Sequence, residues 1–496
     1  MYNSKTKKKF YLLGFSTILI LGLVSCAHNK PEEVKKEMER PIREEREQVP
    51  PAPKLSYPLV DTNQTLCFDN SEIIDPPQEG EPFYGQDAQY TSNVPSYTDN
   101  GDGTITDNVT GLVWAQDLSP IPMDWEEAQA YVESLNIGGR TDWRLPNIKE
   151  LWSIRDFSQG WPWLDTNYFN LVGDGSQGAQ QHSWSSNYYL VDTDEAVKNV
   201  AFVVNDWTGH IKALGGKRYV RAVSGKEYGI NEFKDNGDGT VTDEATGLMW
   251  AQDDSGEPMT WEEALAYAEN STYAGYDDWR LPNIKELQSI VDYSGVFPAI
   301  DTSVFNISQI VNEKGNDDYP YFWSSTSNPY IDPHDAEGYW YAWYVAFGYA
   351  VDQNGDDIHG AGAVRFDTKS PDGESGPDGE RYYNYVRLVR GGAIETPNGS
   401  DGALDLDKEK KSLDLPFNNT SATSLSPRSG GGPSGRPQMQ GQGQGPDFAA
   451  AAKILGISED ELLEAFGEPT QGPPDFEAIA AKLGITVVEL MAALNQ

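Results

Sequence analysis

Asp352, Asn354 and Asp356 place side-chain oxygens at alternate positions in the acidic stretch Asp352-Gln353-Asn354-Gly355-Asp356-Asp357. Alternate oxygen ligands suit a calcium ion, because a short loop can turn several of them onto one hard cation. These three residues are therefore the candidate metal site, and Ca2+ is the one cofactor the residues suggest. The competing reading is a solvated acidic loop. A second run, Asp99-Asn100-Gly101-Asp102-Gly103, also looks like a calcium loop but fits badly. Setting Gly103 at the sixth position of an EF-hand puts Thr98 at the first, where a carboxylate belongs. Asn-Gly and Asp-Gly instead mark tight hairpin turns.

No enzyme constellation emerges elsewhere. The five histidines lack metal-ligand spacing. No nucleophile elbow or phosphate loop occurs. With 77 Asp and Glu, no single pair of carboxylates stands out, so no catalytic residue is assigned. One covalent modification is indicated. Lys5, Lys7, Lys8 and Lys9 precede an apolar run from Phe10 to Val24, the pattern of an export leader too short to span a membrane. Its end, Leu23-Val24-Ser25-Cys26, resembles a bacterial lipobox, in which Cys26 is acylated and becomes the first mature residue. Ala27 rather than Asp follows, which by that resemblance sorts the lipoprotein to the outer membrane, on its periplasmic or surface face. Several acyl chains would anchor it stably. An ordinary leader with a chance cysteine is the alternative. Cys67 then has no intrachain partner, and is read as a small buried residue or, alternatively, as the site of an intermolecular disulfide.

The formal charge of -40 disfavours nucleic acid and anionic lipid surfaces as partners. Hydrophobic content of 38%, with 14 Trp and 26 Tyr, is enough for packed cores.

The elements that must position these residues come in two copies. Asp142-Trp143-Arg144-Leu145-Pro146-Asn147-Ile148-Lys149-Glu150-Leu151 returns letter for letter as Asp278 to Leu287, an offset of 136. From Asp99 and Asp235 onward the copies agree at 15 of 19 positions. A period this long is a duplicated domain rather than a solenoid. Each copy opens on strand, turn, strand, turn, strand. Asp124/Glu127 and Thr260/Glu263 have capping-box spacing, as do Asn147/Glu150 and Asn283/Glu286, so two short helices follow in each copy. Trp125, Ala128, Val132 and Leu135 recur at helical spacing, as do Trp261, Ala264 and Ala268, which makes the tryptophans core anchors. Trp143, Arg144, Leu145 and Pro146, with Trp279, Arg280, Leu281 and Pro282, read as a structural motif. Each Arg is expected to be a buried donor to backbone carbonyls. Beyond them Ser183-Trp184-Ser185-Ser186 matches Phe322-Trp323-Ser324-Ser325, and Val200–Val204 matches Trp343–Phe347. Closing strands at Tyr219–Val223 and Tyr385–Val389 suggest that the ends of each copy pair in one sheet.

These residues together resemble the Lcl C-terminal domain family, over residues 95–225 and 231–392. That family takes its name from a bacterial collagen-like adhesin. The resemblance implies a C-type-lectin-like, looped α+β domain, and a role in extracellular binding or adhesion, with sulfated glycans as ligands in the adhesin. The collagen-like stalk is absent, since the Gly-rich stretch at 429–445 lacks Gly at every third position. The Trp-x-x-Ala and Arg-Leu-Pro patterns also resemble formylglycine-generating enzymes, whose chemistry depends on cysteines that neither copy has. Asn205-Asp206-Trp207 is a faint echo of a lectin sugar motif.

The copies differ in length. Copy two has about 27 more residues between Trp323 and Val386 than copy one between Trp184 and Val220, more than most connections reach without a role. This acidic insert, Val351 to Glu380, is the expected place of specialisation. A second duplication, offset by 28, follows a low-complexity linker; Ser458/Glu461 and Thr486/Glu489 give it capping boxes.

The fold class is therefore α+β, two tandem lectin-like domains with a small all-α C-terminal module. The organisation is a leader (1–25), a charged Pro-containing tether (26–60), an N-terminal extension (61–94), copy one (95–227), copy two (231–394), a linker (395–445) and a duplicated helix-turn-helix (446–496). The leading function is a non-catalytic envelope lipoprotein that binds a glycan or extracellular protein. The alternatives are an envelope assembly component docking a protein partner through its C-terminal helices, and a carboxylate-dependent enzyme.

Overall fold

The computed structural model describes residues 55–395, apart from 159–161, 173–180, 191–200, 331–337, 372–380 and 393, and scattered residues between 452 and 484. Cys26, the 396–445 linker and the Thr486/Glu489 cap lie outside the described residues. Both copies fall in one compact unit, Lys54–Gln496. The class is α+β, with short helices among many strands. Among the described residues no helix is long and apolar enough to cross a membrane.

Each copy begins with the expected hairpins. In copy one Tyr97–Asp99, Thr104–Asp107 and Val113–Ala115 run antiparallel, and the closing strand Val223–Ser224 adds on the far side through Val223 opposite Trp114. Copy two repeats this with Phe233–Asp235, Thr240–Asp243, Leu248–Ala251 and Val389–Arg390. The ends of each copy do share one sheet. Asp99 and Asp102 spend their carboxylates on turn backbone: Gly101 N donates to Asp99 Oδ1 (2.8 Å) and Thr104 N to Asp102 Oδ1 (3.2 Å), while Gly101 and Gly103 take the positive φ the turn needs.

All four capping boxes form. They start α1 (Trp125–Ser134), α2 (Ile148–Ser153), α3 (Trp261–Glu269) and α4 (Ile284–Ser289).

The tertiary surprise is a six-stranded sheet that belongs to neither copy alone. Copy one contributes His182–Tyr188, Ala201–Asn205 and Ile211–Leu214; copy two contributes Tyr321–Tyr330, Gly338–Ala346 and Val364–Thr368. The two halves meet antiparallel, with Val364 opposite Ile211. Strand pairing makes these two residues each other's counterparts, since Ile211 faces Val204 and Val364 faces Val345. The copies are thus related by a pseudo-two-fold axis through the sheet, as in an isologous dimer. Each copy covers the other's open edge strand, which would otherwise invite association.

The core follows the sheet. Trp114, Trp152, Trp163, Phe202 and Ile211 of copy one form one cluster with Trp250, Leu287, Trp343 and Val364 of copy two. Smaller clusters around Trp143 and Trp184, and around Trp279 and Trp323, remain local. Each fully buried large apolar side chain contributes about 1.5–3 kcal/mol, so the shared cluster binds the copies into one cooperative body.

Three expectations are corrected. The tether ends before residue 60, because Tyr57 is 1% exposed and its N–H bonds the Ala245 carbonyl. The match of Val200–Val204 to Trp343–Phe347 is two residues out of step: Trp184 faces Val203 and Trp323 faces Tyr344, so Val203 corresponds to Tyr344. A slip of two keeps every side chain on its face, so the sequence pattern cannot expose it. Finally, the acidic insert is not one loop. Val364–Thr368 runs through its middle as the strand equivalent to Ile211–Leu214, leaving an excursion on either side.

Candidate functional site

The repeated block sits at the pseudo-two-fold axis. Arg144 makes a two-pronged ion pair with Glu150, each bond 2.6 Å, and Arg280 does the same with Glu286. Each Glu also accepts the N–H of Asn147 or Asn283 at 2.9 Å, so one carboxylate caps its helix and holds the arginine. The main partner of each arginine is therefore a carboxylate, with Gly225 and Gly391 carbonyls secondary. Trp143 and Trp279 are buried and donate to the Arg140 and Tyr273 carbonyls; Leu145, Leu281, Pro146 and Pro282 are buried as well.

The lysine in each block reaches across the axis. Lys149 donates to the Ser289 carbonyl (2.7 Å) at the end of α4, and Lys285 donates to the Ser153 carbonyl (2.9 Å) at the end of α2. Their other acceptors are Asn231 Oδ1 and the Asp61 carbonyl. An ammonium at a helix C-terminus suits the partial negative charge there. Burial pushes both ammonium groups down to about 8. A small cleft between them is lined by Tyr57, Trp152, Tyr228 and Gln288. Sequence reasoning missed this reciprocal lock, because a Lys between two capping residues looks like solvent-facing charge.

The buried donors to backbone carbonyls are other arginines. Arg221 bonds the Ala115, Gln116 and Asn170 carbonyls, and Arg387 bonds those of Ala251, Gln252 and Asn306. Each ties its closing strand to the start of its own copy. Burial lowers both guanidinium groups to about 10. Copy one adds an ion pair without counterpart in copy two: buried Arg155 lies 3.8 Å from buried Asp206, whose Oδ2 accepts from Ser183 (2.7 Å). The equivalent residues in copy two are Val291 and Phe347.

Asp352, Asn354 and Asp356 come together in one turn. Asp352 Oδ1 accepts the N–H of Asn354 (2.8 Å) and of Asp356 (2.9 Å), Asp352 Oδ2 accepts from Asn354 Nδ2 (3.1 Å), and Lys314 pairs with Asp356. The oxygens close the turn on itself, with a lysine already beside them. Among the described residues no group of three or more His, Cys, Asp or Glu is placed to hold a metal ion. Cys67 is buried and its thiol is pushed up to about 12, which leaves it an inert core residue.

The largest difference between the copies lies over α1 and α3. Residues 64–91 of the extension lie across copy two. Phe83 approaches Trp261 at 6.1 Å, Tyr90 donates to Glu269 (2.8 Å) beneath the Arg280 guanidinium, and the Thr326 hydroxyl donates to Asp87 (2.6 Å). Gln64 exchanges two hydrogen bonds with the backbone of Ser327. Lys369 lies 4.5 Å over Trp261 and donates to the Asp69 carbonyl. Among the described residues copy one has no such cover. Its Trp125 is partly exposed where Trp261 is 0% exposed, and the Arg144 side chain is 32% exposed against 5% for Arg280. Ser186, Asn187 and Tyr188 reach solvent where Ser325, Thr326 and Ser327 are buried. The sequence carried a trace of this asymmetry: α3 has Leu265 where α1 has Gln129.

A family model described as the Lcl C-terminal domain matches residues 103–224 and 239–390, more than half of the chain. The chain belongs to the Lcl C-terminal domain family. No curated protein and no solved structure matches it. The two Lcl C-terminal matches begin at the hairpin turns and end on the closing strands, so the family unit is the looped domain held by Arg221 or Arg387. Residues 55–95, which distinguish the two faces, lie outside both matches.

Proposed function

We propose that this chain is a non-catalytic binding protein of the bacterial envelope: an exported lipoprotein, anchored by acylated Cys26 in the outer membrane, that presents two lectin-like Lcl C-terminal domains as an adhesin. The observation carrying this reading is the unequal cover of two equivalent faces. Copy two's face is closed by the chain's own extension, whereas copy one leaves Trp125, Tyr188 and Arg144 at the surface. Partly exposed aromatic rings and a partly exposed guanidinium are the kind of anchors that binding sites favour. The repeated blocks are engaged in caps, ion pairs and the axis, which supports a scaffold role for them rather than chemistry.

Full-length protein on glycan and extracellular-protein arrays tests the reading. Binding that Tyr188→Ala weakens at least tenfold is the expected result, and an array blank for both ligand classes would sink it. Intact mass of the mature N-terminus tests the anchor; an unmodified Cys26 removes it. A second reading, an envelope assembly component, draws on the C-terminal module, where Ser458 and Glu461 cap each other and Leu462 and Ala465 are buried.

A further inference from the structure

The occupant of the covered face shows what the open one is shaped to take. In copy two that occupant is a peptide that turns at Phe83–Gly85 and winds into a 3-10 turn over Asp87–Gln89, with a ring at Phe83, a carboxylate four residues on at Asp87 and a second ring at Tyr90. The first ring meets the tryptophan that opens α3, the carboxylate takes the hydroxyl of Thr326, and the second ring lies under Arg280. Copy one keeps a counterpart for each contact. Trp125 opens α1, with its indole N–H fixed on the Ser185 carbonyl at 2.9 Å, as that of Trp261 is on Ser324 at 2.8 Å. Asn187 replaces Thr326 and does the same structural work, its Oδ1 accepting the N–H that starts α2 (2.8 Å) as the Thr326 hydroxyl does for α4. Its side-chain amide also brings an NH2 donor, the group a carboxylate needs. Arg144 is held flat by Glu150 with one side toward solvent.

Two differences open the face further. Gly216 stands at the position of Lys369, which crosses Trp261, so among the described residues no equivalent lysine lies over Trp125. Tyr188 replaces Ser327 and packs edge-on against Trp125, with ring centroids 4.8 Å apart. It adds an aromatic wall that copy two lacks.

We infer that the open face of copy one is a docking site for a turn-forming peptide segment of a partner protein, carrying an aromatic ring, a carboxylate and a second ring in the spacing of Phe83, Asp87 and Tyr90. This rests on the reading of the chain as a binding protein and names the ligand class of that same face. The chain's own extension is not the occupant, because copy two already holds it. A sugar stacked on Trp125 and Tyr188 is the rival occupant.

The test pans a displayed library of random 16-residue peptides against the full-length protein and measures the selected peptides as synthetic ligands. Two variants probe the face at positions that reach solvent: Tyr188→Ser, which installs the copy-two residue, and Ser186→Glu, which sets a negative charge on the exposed rim. Thermal melting confirms that both remain folded. The expected result is peptides enriched in ring–acid–ring patterns that lose at least tenfold in affinity with each variant. If no peptide is selected, or the selected peptides bind both variants as well as the parent, the inference is overturned. Glycan binding sensitive to Tyr188→Ser would then leave the binding function standing with a sugar as ligand, and the absence of both would remove the two together.

Discussion

In copy two, Trp261 lies beneath Phe83 and Lys369; in copy one, Trp125 meets Tyr188 and keeps part of its ring in solvent. The hairpins, capping boxes, Arg–Glu pairs and closing arginines otherwise recur in both copies. The duplication therefore kept what holds one domain together, and the copies diverged in what lies over α1 and α3 and in the polarity beneath the shared sheet. A face covered by the chain's own extension can be apolar, as Leu265 is, whereas an uncovered one must tolerate water, as Gln129 does. A duplicated domain can in this way keep one copy as structural support and leave the other open to a partner.

The strongest way to break the comparison is at the buried ion pair that copy one alone possesses. Arg155→Val, the copy-two residue, should cost about 3–5 kcal/mol in urea unfolding, because it strands the Asp206 carboxylate in the core. Adding Asp206→Leu should recover most of that loss. Equal stability of the single and double variants would show that the pair is not what separates the two cores.

Next in size is the axis, where the copies act alike. Lys285→Met should cost about 1–3 kcal/mol by stripping a donor from the Ser153 and Asp61 carbonyls. The pH profile sharpens this. The Lys285 ammonium is held at about 8 against an ordinary 10.5, so between those values the unfolded chain carries more protons and stability rises with pH. That share of the rise should vanish in Lys285→Met. An unchanged profile would mean that the lysine is not buried in solution.

The smallest effect concerns the cover itself. Burial pushes the Asp87 carboxyl up to about 7 from 3.8. Its stabilising contribution is therefore full below about 4 and is lost as pH rises through about 7. Limited proteolysis of residues 61–94 should be slower at pH 5 than at pH 7.5, and Asp87→Asn should flatten that difference. Copy one, which has no such cover among the described residues, provides the internal reference.

Much of each domain was legible in the chain. Asn-Gly and Asp-Gly fixed the hairpins because few residues accept positive φ, and Asp124, Asn147, Thr260 and Asn283 announced the helix starts because the capping Glu lies three positions on. The site was far less legible. Lys149 and Lys285 carry no sequence mark of the helix ends they reach, since those ends belong to the other copy. Arg144 and Arg280 are identical in sequence, yet one is partly exposed and the other covered, because the covering segment comes from residues 64–91, far away along the chain. The acidic insert drew attention by its charge, but a β-strand crosses it and its Asp352 turn closes on itself.

Local chemistry, set by neighbours three or four residues apart, thus determined the repeat, its turns, its caps and its family. The shared six-stranded sheet, the reciprocal lysines and the open face depend on which surfaces meet after folding. Backbone pairing at Ile211 and Val364 and burial across the axis are long-range events, and tertiary packing alone decided them.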